Sequence, residues 1–179
     1  MSPPSPDSSS KGRRLLVIMR HGKAEAFAQG DHRRRLTDRG RREATAAGQW
    51  LADLGFVPTD AFVSSATRAR QTWEALMVGS GTRAEARVED AVYTADADSA
   101  LDVLRGSPVD AEVVLYVGHN PTAASLAYLL DDGDPDSEAF RSMSVGFATA
   151  AVAVLEIWVP WADLDAATGH LIAFHADQG

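Results

Sequence analysis

Residues 15–22 read LLVIMRHG, five apolar side chains without interruption, then a cation, an imidazole and a glycine. A strand with one wet face alternates apolar and polar residues, whereas a strand covered on both faces is apolar throughout, as in a parallel sheet. The abrupt switch to Arg20-His21-Gly22 marks the carboxyl end of such a strand, the edge where open α/β sheets hold their ligands. Downstream, Thr37 reads as an N-cap with Asp38 in the first turn. Ala44, Ala47, Trp50, Leu51 and Leu54 recur at helical spacing until Gly55 stops the helix. A strand over 61–63 ends in Ser64-Ser65 and is followed by a helix over 67–78, a short strand near 86–88 and a helix over 98–105. A buried strand over 112–117 and a helix over 121–130 continue the alternation. The stretch from Asp131 to Ser142 is acidic and bears Gly and Pro, so it reads as a loop, and two late strands near 148–158 and 170–174 close the chain. Strand alternating with helix predicts an α/β fold, a single domain with a mostly parallel central sheet flanked by helices.

Composition narrows the chemistry. The chain has 179 residues, 45% hydrophobic and 23% charged, values of a globular domain. It has no cysteine, which excludes disulfides, thiolate nucleophiles and Cys-ligated zinc or iron–sulfur sites. Its apolar runs, such as 15–19 and 148–155, are far shorter than the roughly 20 residues that cross a bilayer, so no membrane role is expected. Residues 1–12, MSPPSPDSSSKG, are rich in Ser and Pro and are expected to form a disordered tail, with the domain over 13–179. They lack the apolar stretch of a secretory signal, which points to the cytoplasm. The net charge of −8 argues against nucleic acid as a partner, but the charge is unevenly spread. Eleven of the 17 Lys/Arg but only four of the 25 Asp/Glu fall in residues 1–42. A local anion site in an acidic protein fits this asymmetry; a solvated basic loop is the plainer reading for Arg33, Arg39, Arg41 and Arg42.

Three strand ends carry the polar chemistry: Arg20-His21-Gly22, Ser64-Ser65-Ala66-Thr67-Arg68 and Gly118-His119-Asn120-Pro121. A parallel sheet would bring all three to one edge. RHG after VIM, SSATRARQT at 64–72 and GHNP at 118–121, in this order, resemble the histidine phosphatase superfamily, with its phosphoglycerate-mutase-like fold. The RHGKAE start, LTDRG at 36–40, the short chain and AVAVLEI at 151–157 resemble most closely its SixA-type phosphohistidine phosphatases. The resemblance implies a metal-independent phosphatase without cofactor. In it His21 would be the nucleophile that forms a phosphohistidine, Arg20 and Arg68 would hold the phosphoryl oxygens, and His119 would donate to the transferring group. Gly22, Lys23 and Asn120 would belong to the phosphate or substrate pocket, with Gly22 and Gly118 letting the backbone approach the anion. Repulsion from Arg20 and Arg68 would keep His21 neutral and nucleophilic, and two guanidinium groups already neutralise a phosphate, so no metal is expected. His32, His170 and His175 have no partners at ligand spacing.

For a proton donor, mutase-type relatives place a glutamate shortly before a tyrosine, and VEDAVY at 88–93 offers two candidates. Asp90 matches the spacing to Tyr93, Glu89 the residue type, and for either one a solvated loop carboxylate is the plainer reading. An imidazole leaves with little protonation, so a site without a firm acid favours phosphohistidine over alkyl phosphates. Only residues 23–36 separate the RHG motif from the first helix. That predicts an open cleft suited to a phosphorylated protein such as a histidine phosphotransfer domain, with Lys23, Arg33, Arg34 and Arg35 at its rim. The asparagine that mutase-type relatives use soon after RHG is missing, with Phe27 nearby. Two other readings stand beside this one. The first is a broad phosphomonoesterase acting on small phosphate esters. The second is a phosphoprotein-binding module with little turnover, which the presence of both His21 and His119 disfavours.

Overall fold

The computed structural model describes residues 12–134 and 137–176, so the expected tail, Gly12 apart, lies outside the described residues. β1 (Arg14–Arg20), β2 (Asp60–Ser64), β3 (Ala86–Glu89), β4 (Val113–Gly118), β5 (Val152–Ile157) and β6 (Gly169–His175) form one sheet in the order β3-β2-β4-β1-β5-β6. The first four run parallel, while β5 is antiparallel to β1 and β6 to β5. Around the sheet are α1 (Asp38–Asp53), α2 (Thr67–Ser80), α3 (Asp90–Tyr93), α4 (Ala97–Arg105), α5 (Thr122–Leu130) and α6 (Glu138–Val145).

The unbroken apolar run of β1 is explained by burial on both faces. Leu16 and Ile18 join Phe62, Val114, Tyr116, Leu126 and Trp161 on one side of the sheet. Leu15, Val17 and Met19 join Val63, Leu115 and Val117 with Ala44, Ala47 and Leu51 of α1 on the other. The period of two along a strand is intact, but both sets are apolar because helices cover both faces. Thr37 caps α1 as expected, its hydroxyl accepting from Gly40 N at 3.1 Å, and Gly55 follows the helix with φ of 75°.

One segment departs from the sequence reading. Residues 131–142 were expected as loop, yet from Glu138 the chain is helical. Ser137 supplies the cap, accepting from Phe140 N at 3.0 Å, Glu138 sits in the first turn, and Met143 is buried with Phe140 packed beside the core. The Gly and Pro of this stretch precede that cap, and averaged over the whole segment they mask it. A single turn, α3, also follows β3 directly, carrying Tyr93 toward the sheet edge.

Because β2, β4 and β1 are adjacent and parallel, their carboxyl ends emerge together, with Arg20 level with Gly118 and Val63 level with Val117. Ser64, His119 and His21 therefore meet although 55 and 98 residues separate Ser64 from His119 and His21 from His119. Among the described residues, no helix is long and apolar enough to cross a membrane.

Candidate active site

His21 is held at the end of β1 by its backbone: its N–H donates to Gly118 O at 3.0 Å and its carbonyl accepts from Ala150 N at 3.1 Å. The ring is buried, 8% exposed, with Nδ1 2.8 Å from Gly22 O. A carbonyl only accepts, so Nδ1 carries the proton and Nε2 keeps its lone pair. Nε2 faces Arg68, whose Nε–H donates to it at 3.3 Å. Burial is the main cause that lowers the His21 pKa to about 4, with Arg68, Arg20 and Arg34 adding repulsion and the Gly22 bond opposing. The guanidinium repulsion argued from sequence is thus present but secondary to desolvation.

Arg68, in the first turn of α2, is 5% exposed and makes four hydrogen bonds. Besides His21, its Nη1 donates to the Asp31 carbonyl at 2.8 Å, and its Nη2 to Asp31 Oδ2 at 2.9 Å and to His119 Nδ1 at 3.3 Å. Since Arg68 can only donate, His119 Nδ1 accepts, and His119 Nε2–H donates to Ser64 Oγ at 2.7 Å. The two imidazole centroids are 5.1 Å apart. Burial, then His21 and Arg68, lower the His119 pKa to about 3. Both rings are therefore neutral at physiological pH.

Arg20 donates through Nη1 to Phe147 O at 3.1 Å, and Asn120 Nδ2–H donates to the same carbonyl at 2.9 Å. The Arg20 Nε is buried without an acceptor. Gly22 N–H is committed to Thr72 Oγ1 at 3.0 Å, and a Cβ on Gly22 would lie 2.7 Å from Gly40 O of α1. A Cβ on Gly118 would meet the Tyr116 ring. Protein packing already requires both glycines, where the sequence reading invoked an approaching anion. Lys23 is exposed, and its carbonyl takes Thr37 N–H at 2.9 Å. Arg33 and Arg35 are exposed, as is Phe27 at 90%, whereas Arg34 is bound to Asp31 Oδ1 at 3.0 Å and to Glu25 O at 3.1 Å.

Glu89 ends β3 and Asp90 opens α3. Neither carboxylate hydrogen-bonds to His21, His119, Arg20 or Arg68; Tyr93 instead reaches the site. Its hydroxyl donates to Asp31 Oδ2 at 3.0 Å and its ring meets His119 edge-on at 5.6 Å. Asp31 was not singled out from the sequence, and Ser64 and Tyr93, named there within a strand-end motif and as a spacing landmark, were assigned no role in the site. Asp31 had a visible signal: it and Glu25 are the carboxylates in an otherwise basic segment, residues 20–36. The expectation that His170 lacks partners is corrected by tertiary structure. Asp132 Oδ1 lies 2.8 Å from its Nδ1, with Asp131 beside them, and Asp132 is the first cause of the raised His170 pKa. That cluster sits beyond the C-terminal end of α5, while His119 precedes its N-terminal end.

The site is a neutral, buried imidazole whose unprotonated Nε2 is turned to Arg68, flanked by two arginines and a second imidazole. The model of the histidine phosphatase superfamily (branch 1) matches residues 16–93. An uncharacterized protein of Mycobacterium leprae is 32% identical over 166 residues, covering 89% of this chain and all (100%) of that one. One from Mycobacterium tuberculosis is 36% identical over 164 residues with 89% and 100% coverage. A solved structure assigned as a phosphohistidine phosphatase SixA from Nakamurella multipartitia is 37% identical with a TM-score of 0.83, covering 94% of this chain and 98% of that one. The SixA structure complexed with tungstate, at 23% identity, TM-score 0.75 and coverage of 90% and 96%, shares the fold. The chain belongs to the histidine phosphatase superfamily, and it is a phosphatase.

Proposed function

We propose that the chain hydrolyses phosphohistidine carried by a protein, through a phosphohistidine of its own on His21 and without a metal ion. His21 Nε2 attacks phosphorus, the P–N bond of the substrate breaks, and the departing imidazole takes up a proton. Water then attacks phospho-His21, releasing inorganic phosphate and restoring Nε2. The observation that carries this reading is the Nδ1 contact to Gly22 O at 2.8 Å, which fixes the tautomer and leaves the lone pair on Nε2 toward Arg68. Arg68 and Arg20, the latter with an Nε lacking an acceptor, supply the positive charge on which phosphoryl transfer depends. An arriving dianion favours protonation of His119, which then donates to the transferring group. With neither Glu89 nor Asp90 bonded to the site residues, the leaving group needs to be one that departs with little help, as imidazole is. The exposed rim of Lys23, Arg33, Arg35 and Phe27 suits a protein surface better than a metabolite.

The test is rapid mixing with a phosphorylated histidine phosphotransfer domain, quenched without acid and mapped by mass spectrometry. Phosphate is expected on His21, stable in alkali and lost in acid, with His21→Ala abolishing turnover and excess chelator changing nothing. Near-normal turnover of His21→Ala, or strict dependence on a divalent ion, would overturn the proposal.

A further inference from the structure

Arg68 has four of its five N–H donors in use, including both on Nη2. Its Nε is given to His21 Nε2, its Nη1 to the Asp31 carbonyl, and its Nη2 to both His119 Nδ1 and Asp31 Oδ2. Asp31 thus presents to this guanidinium a carboxylate oxygen at 2.9 Å, the same hydrogen-bonding chemistry that a phosphoryl oxygen offers. Two anions cannot share Nη2, and a phosphoryl dianion next to the Asp31 carboxylate would meet like charge. We propose that Asp31 is a resident competitor for the phosphoryl seat: its carboxylate occupies Arg68, and a phosphoryl group enters by displacing it. This rests on the reading of Arg68 as a phosphoryl-binding residue.

The surroundings suit an exchange rather than a permanent bond. The Asp31 side chain is 54% exposed while that of Arg68 is 6% exposed, so the carboxylate is the partner free to move. Its other oxygen, Oδ1, is bonded to Arg34 Nε at 3.0 Å, so a carboxylate that leaves Arg68 keeps a cation. Asp31 opens a single 3₁₀ turn, residues 31–33, immediately after Gly30, whose φ of 94° only glycine adopts at little cost. The Asp31 carbonyl, bonded to Nη1, tethers the same residue to the site, so the displaced carboxylate stays nearby. The consequence is symmetrical: Asp31 weakens binding of the phosphoryl group on entry and, by returning to Nη2, helps inorganic phosphate leave. It also screens the Arg68 charge from casual anions, so that entry favours a phosphoryl group presented with additional contacts from a larger substrate.

The experiment is calorimetric titration of the full chain with tungstate, a tetrahedral dianion, comparing wild type, Asp31→Asn and Asp31→Ala, with Arg68→Ala as the reference for loss of the seat. Removing the competing charge is expected to tighten tungstate about tenfold in both Asp31 variants, the scale of one charge-assisted contact discounted for exposure. KM for a phosphorylated substrate should fall in parallel, and kcat should fall as well if phosphate release is limiting. A purely structural role, in which Asp31 merely props Arg68, predicts the opposite: Asp31→Ala would bind tungstate more weakly and Asp31→Asn would behave as wild type. Unchanged or weaker binding in both variants overturns the competitor while leaving the phosphoryl site standing. Failure of tungstate to bind any form, or equal binding by Arg68→Ala, overturns both.

Discussion

Lowering the pH should destabilise this protein through His21, by an amount the structure allows to be worked out. The unfolded chain binds a proton on this imidazole with the ordinary pKa of 6.5, the folded protein only near pH 4. Stability is therefore undiminished above pH 6.5 and is lost as pH falls toward 4, because the unfolded state binds more protons over that window. At about pH 5 nearly all unfolded molecules but only about one folded molecule in ten carry the proton, a loss of roughly 2 kcal/mol relative to pH 7. His119, lowered to about 3, adds a loss of the same sign. The clean measurement is a pair of urea titrations at pH 7 and 5, wild type against His21→Gln, followed by fluorescence of the buried Trp73 and Trp161. The variant lacks the His21 titration but keeps that of His119, so wild type should lose about 2 kcal/mol more than the variant between the two pH values. Any constant cost of the substitution cancels in this difference. Equal losses in the two proteins would mean that His21 protonates in the folded state as freely as in the unfolded one. The argument from burial would then be wrong.

Two further outcomes probe the rest of the site. Asp90→Asn and Glu89→Gln should each change hydrolysis of phosphohistidine, aryl phosphate and alkyl phosphate by no more than a few-fold. A loss of about 10²–10⁴ confined to the alkyl phosphate would instead identify the substituted residue as a general acid. Ser64→Ala removes the acceptor of His119 Nε2–H and should lower kcat/KM about tenfold through loss of one buried hydrogen bond. Nitrogen chemical shifts of His119 should report a mixed tautomer in that variant, and a wild-type spectrum with wild-type kinetics would refute the positioning role of Ser64.

The sequence by itself determined the fold class and the main members of the site, for local physical reasons. The apolar run of β1 demanded cover on both faces, Thr37 and Gly55 marked the ends of α1, and the polar residues that follow β1, β2 and β4 belong at one edge of any parallel sheet. It also placed Arg20, His21, Arg68 and His119 there without reference to distances. Tertiary structure decided what depends on neighbours remote in the chain. The cap at Ser137 became a helix because Phe140 and Met143 found a core to pack against. His170 gained Asp132, 38 residues away, through pairing at the far edge. Asp31 met both Arg68 and the hydroxyl of Tyr93, 62 residues further on, and burial rather than charge repulsion became the chief reason that His21 is neutral. Periodicity and capping are written within a few residues of chain, whereas desolvation and the sharing of one guanidinium among four acceptors exist only once distant segments have closed around it.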